Sequence, residues 1–210
     1  MKRILPLVFL LTALLACTGL PPMRPAPVGD IACDRFFVQD RWQFVHRLRI
    51  QAPGGRTLTL LGVTLVSSGR RSLQSALMTP EGMVLFEADA GPPLAVQRSV
   101  PPFDRKGFAR GLMDDVKMIF LVPEGSAEPG AFEDGAIGCR YRLAAGGWLD
   151  AAWEPNGVRR IIRYDSAGKR IREVTMERGA PGKGRMVLTA TGSAGYRIEM
   201  EAIEAVRLGE

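Results

Sequence analysis

Any chemistry in this 210-residue chain must come from few side chains: one histidine, three cysteines and the adjacent pair Asp114-Asp115. His46 stands between Phe44 and Leu48 in an alternating apolar pattern, with no second histidine to complete a zinc site. That setting predicts a packed histidine, and neither a catalytic residue nor a metal ligand is expected. Asp114 and Asp115 are neighbours in a helical pattern, where adjacent side chains point in different directions, so they read as solvated surface. A carboxylate pair assembled from distant strands, as a glycosidase uses, stays open. The chain has no Gly-x-Ser-x-Gly elbow, no glycine-rich phosphate loop and no dinucleotide fingerprint, so no cofactor is expected.

The cysteines say more. Lys2 and Arg3 form a positive start, Ile4 to Leu15 an apolar run, and Ala16 a small residue directly before Cys17. The run is shorter than the roughly twenty residues that span a bilayer core, so residues 1–16 read as an export signal that is cut off. The order Leu14-Leu15-Ala16-Cys17 resembles a bacterial lipobox, which implies that the Cys17 thiol takes a diacylglycerol and becomes an acylated N-terminus. An ordinary secretory signal, cleaved elsewhere, is the alternative. Residues 17–32 are rich in proline and read as a semi-rigid tether that does not pack. One acyl chain anchors weakly, at about 0.8 kcal/mol per buried CH2, but two or three hold permanently. The lipobox resemblance also implies a destination: in lipoproteins of enteric-type bacteria, Thr18 rather than an aspartate after the cysteine would favour sorting to the outer membrane.

With Cys17 bearing lipid, Cys33 and Cys139 remain as an even pair in an oxidising compartment, either a disulfide or two buried thiols. The net charge of +6 falls to +4 when Lys2 and Arg3 leave with the signal. The remaining basic residues are scattered and lack interleaved aromatics, which argues against nucleic acid as a partner. A weak attraction to anionic head groups is compatible with them.

The elements that would position these residues are mostly strands. Trp42, Phe44, His46, Leu48 and Ile50 alternate with mostly polar residues, the period of a half-buried strand. Further strands are predicted over 56–67, 72–78, 83–88, 94–99, 139–143, 148–153, 158–165, 171–178, 185–191 and 196–203, joined by turns such as Pro53-Gly54-Gly55 and Pro155-Asn156-Gly157. Residues 30–40 read as a short helix or an irregular lead-in. Apolar residues from Phe103 to Phe120 fall at helical spacing, with Asp104 as N-cap and Pro123 as stop. Residues 124–138 read as a surface loop. The methionines read as core filling, and Trp148 and Trp153, around a glycine-rich turn, as a candidate rim or membrane-facing lip. About ten antiparallel strands in one domain, residues 33–210, must curl to limit their exposed edges, and the helix would cover the concave side.

This layout resembles the LolA/LolB-like lipoproteins. The residues that carry the resemblance are the lipobox through Cys17, the stretch Met78-Thr79-Pro80-Glu81-Gly82-Met83-Val84-Leu85-Phe86, the helix end Ile119-Phe120-Leu121-Val122-Pro123, and the strand–turn–strand region 192–203. More narrowly, the chain is similar to LolB-related outer-membrane lipoproteins, some of them encoded beside aryl polyene or fatty-acid-type pathways. The resemblance implies a mainly β fold, an incomplete antiparallel barrel with a covering helix, which holds acyl chains. The function expected is therefore that of a non-enzymatic lipoprotein on the periplasmic face of the outer membrane, its partners the membrane and a lipid or acyl-type ligand. Candidate cavity residues are Trp42, Phe44, Leu48, Leu60, Leu85, Phe108, Leu112 and Met200. The alternatives are an envelope assembly lipoprotein with protein partners, and an envelope hydrolase.

Overall fold

The computed structural model describes residues 19–25, 31–179, 182–192 and 195–209. The expected export signal over residues 1–16 and the lipid-bearing role expected of Cys17 fall outside the described residues. In chain order the elements are β1 (Met23–Pro25), a short 3-10 helix (Cys33–Phe36), β2 (Arg41–Gln51), β3 (Thr57–Ser67), β4 (Ser72–Met78), β5 (Val84–Asp89) and β6 (Ala95–Ser99). Then come α1 (Phe108–Phe120), β7 (Gly125–Phe132), β8 (Ile137–Leu143), β9 (Trp148–Trp153), β10 (Arg159–Tyr164), β11 (Arg170–Met176), β12 (Arg185–Ala190) and β13 (Tyr196–Leu208). Among the described residues, no helix is long and apolar enough to cross a membrane.

All strands belong to one antiparallel sheet in the order β1-β7-β8-β9-β10-β11-β12-β13-β2-β3-β4-β5-β6. Two meanders, β2 to β6 and β7 to β13, are sewn together where β13 pairs with β2. The seam is long: Arg41 to Gln51 face Leu208 to Arg197, with one bulge near Ile203. The order is linear, so the sheet is not closed into a barrel. Because α1 connects β6 to β7, which lie toward opposite ends of the sheet, it has to cross one face. It touches β4 in one meander and, through Asp115, reaches β11 and β13 in the other. The sheet therefore curls around the helix.

Alternation sets which residues face that helix. In β2, Phe44, His46 and Leu48 are buried while Arg47 and Arg49 are exposed. In β3, Leu60, Gly62, Thr64 and Val66 take the buried positions. Gly62 leaves room for the Leu48 side chain, whose Cδ1 would lie 2.9 Å from an added Cβ and would have to move. Buried residues of both meanders, of α1 and of the lead-in Phe36-Phe37-Val38 form a single apolar cluster. Cys33 is joined to Cys139 of β8, with their Cα atoms 5.7 Å apart, which fixes the lead-in to the second meander. Closing a loop of 106 residues contributes up to about 4 to 5 kcal/mol in the chain-entropy account.

Several sequence expectations need correction. The sheet has thirteen strands, more than the ten or so expected. Residues 124–138 contain β7 and the start of β8: Gly125 to Ala131 pair along Leu143 to Ile137, and the Gly, Ala, Glu and Pro residues that suggested a loop form a strand whose first half is exposed on both faces. The tether is not wholly free, because Met23 to Pro25 pair with Phe132 to Gly130. Asp104 does not cap α1. Phe103 is buried against Phe108, which draws residues 101–107 into turns, and the helix starts after Gly107 at φ 82° without a side-chain cap. Trp148 and Trp153 stand at the two ends of β9, and Trp153 lies 5.9 Å from the Phe36 ring.

Candidate functional site

The face of the sheet beneath α1 is where the sequence-derived residues meet. Phe44, Leu48, Leu60 and Met200 are buried in the main cluster, and Trp42, Leu85, Phe108 and Leu112 are half-buried against it. Aromatic contacts fasten the helix at each end. At its C-terminal end Phe120 stacks on Phe44 at 5.2 Å, and Phe44 in turn stacks on Trp42 at 5.8 Å. At its N-terminal end Phe108 meets Phe86 and Phe103 edge-on, at 5.7 and 5.3 Å. Such pairs contribute about 0.5 to 1.5 kcal/mol each beyond the area they bury.

Midway along the helix the attachment is polar. Asp115, on the buried face of α1 and only 5% exposed, accepts from Arg172 Nε at 3.0 Å and from the Tyr196 hydroxyl. The Arg172 guanidinium also lies over the Tyr196 ring, 5.4 Å from its centre. Burial lifts the Asp115 carboxyl above the usual carboxylate range, against the pull of Tyr196 and Arg172. Burial first, and the Asp115 charge second, hold the Tyr196 hydroxyl protonated far above neutrality. The expectation that Asp115 is solvated is therefore wrong, and the sequence held a sign of it. Leu112, Asp115, Val116 and Ile119 fall at i, i+3, i+4 and i+7, so Asp115 lies inside the apolar stripe.

Two more polar groups enter this face. His46 is 3% exposed and donates through Nε2 to the Gly182 carbonyl at 2.9 Å. Gly182, at φ 79°, comes so close to Phe44 that an added Cβ would lie 2.7 Å from its ring. Burial lowers the His46 pKa, with the Gly182 carbonyl opposing, so the ring is neutral. The second is Arg159, which no sequence pattern marks, since both faces of β10 mix apolar and basic residues. It is 1% exposed, donates to the Phe36 carbonyl and the Met176 sulfur, and lies over the Trp153 ring at 6.0 Å. Among the described residues it has no carboxylate partner. Burial pulls its pKa down to about 10, which leaves it charged at neutral pH.

The arrangement can hold apolar matter against aromatic and aliphatic walls, with three polar groups at defined points. In this conformation its own helix and side chains fill that role. The described cavities lie at the surface. One, of about 480 Å³, runs over the opposite face of β9 and β10 and includes Ala152, Ile162 and Tyr164. Of the eight sequence-derived residues, only Met200 lines a described cavity, a surface groove of about 680 Å³ beside Arg47 and Glu199.

No protein-family model and no curated protein matches the sequence. Among solved structures, the chain is similar to a LolA superfamily protein from Nitrosomonas europaea, with a TM-score of 0.52 and 12% identity, covering 85% of this chain and 90% of the other. At that identity the likeness is one of fold, and the fold is LolA-like: a curled, open antiparallel sheet with one helix across its concave face.

Proposed function

We propose that the protein is a non-enzymatic envelope lipoprotein, anchored through Cys17 on the periplasmic face of the outer membrane. Its concave face takes up a lipid or acyl-type ligand, in support of lipid or lipoprotein transport or localisation. The observation that carries this reading is the helix over the sheet. It rests on an apolar, aromatic-lined face and is tied down in its middle by a partly buried ion pair, Asp115 with Arg172. An acyl chain that displaced Phe120 and Val116 would meet the same walls, each buried CH2 contributing about 0.8 kcal/mol. Arg159 and Arg172 supply cationic hydrogen-bond donors near that face for a polar head.

Native mass spectrometry of the soluble chain that starts after Cys17 tests the reading. Lipid-sized adducts are expected, either carried through purification or taken up from added fatty acid or phospholipid. Asp115→Asn, which removes the charge that ties the helix, is expected to increase uptake. Protein that stays empty in every case, with and without the substitution, overturns the proposal. A second reading, an assembly lipoprotein, draws on β6, an open sheet edge with Val96 45% exposed that could pair with a partner strand.

A further inference from the structure

The segment that precedes the domain is fastened to it at three points. Met23 to Pro25 extend the sheet beside β7. The Met23 side chain joins Phe132, Ala136 and Ala152 in a small apolar cluster on the outer face, away from α1. Arg140, itself held by Asp150 through bonds of 2.7 Å from Nε and Nη2, donates to the Pro21 carbonyl at 2.9 Å. Gly19 and Pro21 thereby form a wall of the outer-face groove of about 480 Å³. Ala152, Ile162 and Phe132 also line it, as do the exposed Lys169 and Arg170.

Cys17 is two residues from Gly19, and two residues of chain span no more than about 8 Å. A free tether over residues 18–32 would let the domain take any orientation, whereas a span of two residues does not. We infer that this outer face, built on β8 to β11, lies on the bilayer, with the concave face under α1 turned away from it. The partner is a phospholipid surface. Phe132, Ala152 and Ile162 form the apolar floor of a groove beside the anchor, and Lys169 offers charge to lipid phosphates. Arg170 is paired with Glu173, and the groove's Asp134 and Asp150 are taken up by Arg160 and Arg140. The inference rests on the reading of Cys17 as the lipid-bearing residue.

The test uses the full lipidated chain in vesicles of phosphatidylethanolamine and phosphatidylglycerol. With Cys33 and Cys139 bridged and Cys17 acylated, an introduced cysteine is the one free thiol for a fluorescent label. Lys169→Cys places the label by the groove. Glu81→Cys places it in the exposed β4–β5 turn, with four strands of the sheet between β4 and β11. Brominated lipids are expected to quench the label at 169 several-fold more than at 81. Met23→Asp, which undocks the segment without touching the main core, is expected to remove most of that difference. Equal quenching at both sites in protein that floats with vesicles overturns the inference and leaves the anchor standing. Protein that does not float, or that floats as well with Cys17→Ala, overturns the anchor and the inference together.

Discussion

The two faces of this sheet are held by different forces. Under α1, the cluster is aromatic and aliphatic, and the polar side chains that enter it are bonded: Asp115 to Arg172 and Tyr196, His46 to the Gly182 carbonyl and Arg159 to the Phe36 carbonyl. On the outer face of β8 to β10 the apolar cluster is small, four residues in all. Order there comes from ion pairs, Arg140 with Asp150 and Arg160 with Asp134 and Glu154. Burial is non-directional and tolerates rearrangement, which suits a face that exchanges its own helix for a ligand. Directed pairs fix position, which suits a face that must hold the N-terminal segment in one place.

The largest expected effect lies inside. Phe44→Ala removes the ring between Trp42, His46 and Phe120, and is expected to cost about 3 to 5 kcal/mol in urea unfolding, nearly the same at low and high salt. A loss below about 1 kcal/mol would mean that the concave face collapses easily around a gap, and would erase the contrast in packing. On the outer face, Asp150→Ala strands Arg140. Their side chains are 6% and 14% exposed, so the pair is partly screened. The expected loss is about 2 to 3 kcal/mol, less than for a fully buried pair. Adding Arg140→Met to Asp150→Ala is expected to recover part of it, because the unpaired charge is then gone. No recovery would show that Asp150 acts through packing, and the two faces would differ less than their chemistry suggests.

Strands β2 to β5 are legible because each is covered mainly on one face, whereas β6 is open on both. In β2 one-sided cover writes Phe44, His46 and Leu48 in alternation with Arg47 and Arg49, and in β4 the expected and observed bounds coincide at Ser72–Met78. β7 was not legible, since Gly125 to Gly130 carry no large apolar side chain and their strand character comes from pairing with β8. β1 is three residues long and exists through its edge partner. The eight apolar residues expected to line a cavity are legible as core from period and size, because the inward face of a strand and the covered face of a helix share one core. The polar attachments needed three dimensions. Arg172 and Tyr196 come from strands far along the chain from Asp115, and nothing in the spacing of 115, 172 and 196 announces that they meet.

The smallest effect tests the polar side of the inner face through pH. His46 is buried and neutral, and its pKa lies below the ordinary 6.5 because burial disfavours the imidazolium. The unfolded chain therefore binds a proton that the folded chain does not, over the window between the folded pKa and 6.5. The stability this contributes is complete above 6.5 and is lost as pH falls through the folded pKa. Asp115 runs the other way: its pKa is raised, so its contribution is present in acid and lost as pH rises through that pKa. The two slopes partly cancel in the wild-type protein, and substitutions separate them. His46→Gln keeps a donor for the Gly182 carbonyl and cannot titrate. Between about pH 7.5 and 5.5 its stability, from urea midpoints, is expected to fall less than that of the wild-type chain. With Asp115→Asn as the shared background the difference between histidine and glutamine remains, since it arises at the Gly182 contact and not at the helix. If the two chains keep parallel profiles on both backgrounds, His46 is free to charge in the folded state, and the concave face is wetter around Phe44 than its packing implies.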